Sequence, residues 1–102
     1  MTPYAKKISN AIANKIANGQ FVDESPEGVN VWCRGMNNED LITIKRAMFA
    51  ASTVDRPLYY FYETPFTNSR GERDLLPCCL YKSPASRWDR IAAFRRVCNG
   101  NA

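Results

Sequence analysis

Four thiols, Cys33, Cys78, Cys79 and Cys98, are the side chains of this sequence best suited to covalent chemistry or metal binding. A thiol attacks as its thiolate, so a catalytic cysteine needs a cationic or basic neighbour that lowers its pKa. The chain has no histidine, which removes every Cys-His, Ser-His and His-metal arrangement. Cys33 is the one candidate nucleophile, and the sequence places no base against it. A zinc site is disfavoured as well, because there is no C-x-x-C pair to start one. Cys78 and Cys79 are neighbours, and neighbours on a strand point to opposite faces, so they are not expected to bond to each other. The N-terminal stretch around Lys6, Lys7 and Ile8 is too polar for a secretory leader. The four thiols are therefore expected reduced and half-buried, in a cytoplasmic protein, packing as small hydrophobes.

Carboxylates cluster at Asp23, Glu24 and Glu27 and again at Glu39 and Asp40. The first group reads as a turn, the second as the acidic complement of a helix N-terminus. Neither G-x-x-x-x-G-K-[ST] nor G-x-G-x-x-G occurs, so the usual nucleotide cradles are missing. No enzyme activity, cofactor or metal is expected.

Binding has more material. Arg87, Arg90, Arg95 and Arg96 fall within ten residues, interleaved with Trp88 and Phe94. Guanidinium and aromatic groups together suit phosphate contact and base stacking, or their stems can simply cover a packed helix. Tyr59 to Tyr62 could form a base-stacking sheet face, although core packing accounts better for apolar residues on both sides. Between Glu63 and Asp74 a long loop is expected, with Phe66 as an aromatic anchor beside Arg70, Glu72, Arg73 and Asp74, a composition like that of an interface hot spot.

These groups must be positioned by secondary structure. Thr2 and Pro3 read as the cap and first position of a helix, with Tyr4, Ile8, Ile12 and Ile16 along one face and Gly19 as the stop. Residues 20–35 read as two short strands around a turn, because Val29, Val31 and Cys33 alternate with Asn30, Trp32 and Arg34. Trp32 falls on the polar side of that alternation, where a homodimer contact or a helix of the same chain could cover it. Asn37 or Asn38 caps a central helix with Leu41, Ile44, Met48 and Ala51 inward and a second apolar strip at Ile42 and Phe49. Leu58 to Tyr62 reads as an inner strand, and Leu75 to Tyr81 as an edge strand because of Pro77. A last helix opens with Ser83 as cap and Pro84 in its first turn, carries Trp88, Ile91, Phe94, Val97 and Cys98, and stops at Asn99-Gly100. The expected fold is α+β, a single small domain over 1–102 in the order α-β-β-α-β-β-α, with a mostly antiparallel sheet and helices packed against it.

Net charge is +4, and all of the excess lies in residues 56–102. A basic half attracts nucleic acid or the acidic face of another protein. The expectation is a small non-enzymatic binding protein, an inhibitor or adaptor acting on a protein partner through Phe66, Arg70, Arg73, Arg87, Arg90, Arg95 and Arg96. Small inhibitors carried by phages and other mobile elements, including anti-CRISPR proteins, share its size and type. The alternative is direct nucleic-acid binding through the basic C-terminal helix. No membrane partner is expected, since no apolar run is long enough to span a bilayer.

Overall fold

Thr2 opens the first helix as its sequence dictates. The Ala5 N–H donates to Thr2 Oγ1 at 3.1 Å, satisfying one of the amides a helix start leaves unpaired, a contact worth about 1 kcal/mol. The computed structural model describes residues 1–19, 32–54, 63–77 and 86–100. Its first helix, α1, spans Pro3–Ala17, and Ile8, Ile12 and Ile16 are all buried. Burying each such side chain contributes roughly 1.5–3 kcal/mol. Beyond the C-cap, Gly19 turns the chain at φ 68°, a left-handed conformation that glycine adopts without cost.

Trp32, Cys33 and Arg34 are helical, which corrects the strand expected at that end of residues 20–35. The alternation was short, and its two bulky members, Trp32 and Cys33, are both buried instead of facing opposite ways. Trp32 is thus covered by its own chain, not by a second copy. Tyr4 fixes this turn by donating its phenol O–H to the Trp32 carbonyl at 3.1 Å. The remainder of the expected strand pair, from Phe21 to Val31, lies outside the described residues, as does the expected Leu58 to Tyr62 strand.

The second helix, α2, spans Asn38–Ser52 with Asn37 as its cap. Leu41, Ile44, Met48 and Ala51 form its buried stripe as the periodicity requires. Asp40 is buried in the first turn, and its Oδ2 accepts the Thr2 N–H at 3.1 Å, tying the start of α1 to the start of α2. The expected second apolar strip is on the surface: Ile42 is 42% and Phe49 49% exposed.

A β-hairpin stands where a long loop was expected. Strand β1, Glu63–Thr67, pairs antiparallel with β2, Arg73–Pro77, with Phe66 opposite Asp74 and Thr67 opposite Arg73. Asn68 closes the turn, its Oδ1 accepting the N–H groups of Arg70 (3.0 Å) and Glu72 (2.9 Å). Such a side-chain turn organises a loop without a ladder of its own. On the inner face, Lys45 of α2 donates to Asp74 Oδ1 at 2.8 Å. The expected edge strand therefore begins earlier, at Arg73.

The last helix, α3, spans Arg87–Cys98 and is capped by Ser86, whose Oγ accepts the Asp89 N–H at 3.2 Å; it does not start at Ser83-Pro84. It packs mainly on α2 and then on α1, while the hairpin packs on α2. Among the described residues the core is helix against helix: one apolar cluster runs from Ala5 through Met48 to Phe94. Helices with a small antiparallel sheet make the fold α+β; the full expected order and strand count extend over residues outside the described ones.

Candidate partner-binding surface

The expected interface residues divide by where their side chains end. Phe66 is 3% exposed, set into the core, so it is not the anchor that a partner would meet. Its strand alternation puts it on the face of β1 that shares Asp74 and looks toward α2. Arg70 stands at the hairpin tip with its Nε 3.5 Å from Glu72 Oε1, both side chains well exposed. Arg73 begins β2 and is exposed.

The arginines of α3 are mostly turned on the chain's own helices. Arg90 is 5% exposed and its Nη1 donates to the Ala51 carbonyl at 2.7 Å, at the C-terminal end of α2. Arg87 reaches the Ala17 carbonyl at the end of α1 with Nη1 at 3.5 Å, and a Cβ on Gly19 would lie 2.9 Å from its guanidinium. Both groups meet the negative end of a helix dipole, where unpaired carbonyls gather. Arg95 approaches Asn10 Oδ1 at 3.4 Å. Arg96 is exposed, with no ion pair among the described residues. The structure thus withdraws Phe66 and Arg90 from the surface, and both the hairpin and α3 pack against α2.

Trp88, which the sequence offers both as a stacking group among the arginines and as part of a packed helix, is 76% exposed. The signal was present in the spacing: Trp88, Ala92 and Arg96 lie four apart, one above the other, and Ala92 and Arg96 are exposed too. The buried line of α3 passes instead through Arg90, Ile91 and Phe94.

Two of the four thiols, Cys33 and Cys98, lie among the described residues. Cys33 is buried. Cys98 is half-buried between two shallow clefts, one of about 180 Å³ bordered by Lys6 and Arg95 and one of about 340 Å³ bordered by Thr43 and Arg46. Burial raises its pKa to about 11, against the lowering effect of the Arg95 charge, so the thiolate is scarce at neutral pH. Among the described residues no group of three or more Cys, Asp or Glu converges in a way that could hold a metal ion. None of their helices is long and apolar enough to cross a membrane. No protein-family model, curated protein or solved structure matches the chain significantly.

Proposed function

We propose that this is a small non-enzymatic binding protein that acts in the cytoplasm on another protein, as an inhibitor or adaptor of the kind mobile elements carry. One observation carries the reading: Trp88 stands 76% exposed on α3 while Arg87 and Arg90 of the same helix are aimed at carbonyls of α1 and α2. A large aromatic in solvent beside charged groups is the composition of a protein-interface anchor. Each phosphate contact uses a cation, and the inward aim of Arg87 and Arg90 leaves only Arg95 and Arg96 of this helix for such contacts. Ile42 and Phe49 on α2 add apolar surface of a kind that favours a protein over a nucleic acid. The hairpin tip at Arg70 and Arg73 offers a second, smaller basic surface.

The test is affinity capture from host lysate with and without nuclease, read by mass spectrometry. The reading expects a stoichiometric protein that survives nuclease and moderate salt. Loss of every partner on nuclease treatment would replace it with nucleic-acid binding.

A further inference from the structure

We propose that the outward face of α3, formed by Trp88, Ala92, Arg95 and Arg96, is the docking site for an acidic segment of the partner protein. This rests on the protein-binding reading above and names its surface and chemistry. The four residues recur at i, i+4, i+7 and i+8 and all are exposed. They form one stripe about 12 Å long, at a rise of about 1.5 Å per residue. Its first turn offers the indole of Trp88 and its last turn two guanidiniums.

Charge bookkeeping over the surface selects the occupant. On the hairpin side Lys45 is matched by Asp74 at 2.8 Å and Arg70 by Glu72 at 3.5 Å, which among the described residues leaves Arg73 alone there, with no large exposed aromatic beside it on its strand. On α3 the match fails. Arg95 meets only the neutral amide oxygen of Asn10, at 3.4 Å, and Arg96 has no acid against it among the described residues. The acid of this helix, Asp89, sits in the first turn, where it serves the helix dipole. Among the described residues, two unmatched guanidiniums therefore stand on one helix face with an exposed indole. A short run of carboxylates complements the two guanidiniums, which bind carboxylate in a bidentate fork, while the aliphatic parts of the same segment cover Trp88.

The test uses the intact protein and the fluorescence of its tryptophans, Trp32 and Trp88. Trp32 is buried, so acrylamide quenching reports Trp88, and a Trp88→Phe variant assigns the signal. An oligo-glutamate peptide and an oligothymidylate of equal net charge are the probes. The glutamate peptide should bind saturably and shield Trp88 from acrylamide. Arg95→Glu combined with Arg96→Glu should weaken it about tenfold or more, whereas Arg70→Glu with Arg73→Glu should change it less than about twofold. Arg95→Gln with Arg96→Gln repeats the measurement if far-UV circular dichroism shows that charge reversal unfolds the helix. Absence of peptide binding, or binding that ignores both pairs of α3 substitutions, overturns the proposal, and tighter binding of the oligothymidylate overturns it in favour of nucleic acid. A nuclease-resistant protein still captured by the α3 variant would remove this surface and leave the protein-binding reading standing; capture of no protein by the wild-type chain would remove both.

Discussion

Arg90 of α3, a residue 5% exposed, donates to the Ala51 carbonyl at the end of α2 across 2.7 Å. A carbonyl in the last turn of a helix has no partner within its own helix, and here a neighbouring helix supplies a charged one. Truncation at Arg90→Ala removes the donor and leaves the acceptor buried. The expected loss is about 2 kcal/mol, in the range for hydrogen bonds to charged groups. Arg96→Ala, on the exposed side of the same helix, should stay within about 0.5 kcal/mol of wild type. Urea denaturation midpoints of the two variants decide this, and equal midpoints would show that the contact contributes nothing.

Gly35 and Tyr4 are coupled through space. A Cβ at Gly35 would lie 2.8 Å from the Tyr4 ring, and that ring is held by its O–H donation to the Trp32 carbonyl. Gly35→Ala must displace an anchored aromatic, which costs about 1–3 kcal/mol, as overpacking does. Removing the obstacle in Tyr4→Ala should cancel most of the Gly35→Ala penalty, so the double-mutant cycle is the measurement. Full additivity of the two substitutions would show that the ring and position 35 do not press on each other.

What the sequence disclosed, and what it concealed, follows from the range of the forces involved. The α1 stripe of Ile8, Ile12 and Ile16 and the Thr2 and Asn37 caps are local features with local causes, and they were legible. The α3 start was legible too in principle, because Ser86 and Asp89 stand in the S-x-x-D spacing of a capping pair, yet Ser83-Pro84 offered a competing start. The hairpin was hidden by its own composition. Pro65, Asn68 and Gly71 are turn formers, and a five-residue strand gives alternation little room to show. The fate of the arginines could not be read at all. Arg90 and Arg96 have the same side chain on the same helix, and only the tertiary position of the α2 end makes one a buried cap and the other a surface charge.

Lys45 and Asp74 join α2 to the hairpin at 2.8 Å, each side chain about one-third exposed. The Lys45 hydrogen bond holds the Asp74 carboxyl below its ordinary pKa, opposed by desolvation and helped by the Leu75 N–H. Because the folded value is depressed, the contribution is fully present above the unfolded pKa of about 4 and disappears as pH falls through the folded value. Solvent screening keeps it on the order of 0.5 kcal/mol. Asp74→Asn should lower the urea midpoint slightly at pH 7 and leave it equal to wild type at pH 2. A difference between the two proteins that grows on acidification would contradict the assigned sign.

Cys98 supplies the last prediction, since its reactivity follows directly from where α3 buries it. With its pKa raised to about 11, its thiolate fraction at pH 8 falls on the order of a hundredfold below that of a free cysteine of pKa about 8.5. Iodoacetamide should therefore modify Cys98 far more slowly than it modifies glutathione at pH 8, and the rate should keep climbing through pH 10 instead of levelling near 9. Peptide-resolved mass spectrometry isolates this residue from the other thiols. Arg95→Gln should slow the reaction further, because the guanidinium charge favours the thiolate. A rate that plateaus near pH 9, or that rises on loss of Arg95, would mean that solvent reaches Cys98 freely and that α3 does not hold its C-terminal turn against α1 and α2.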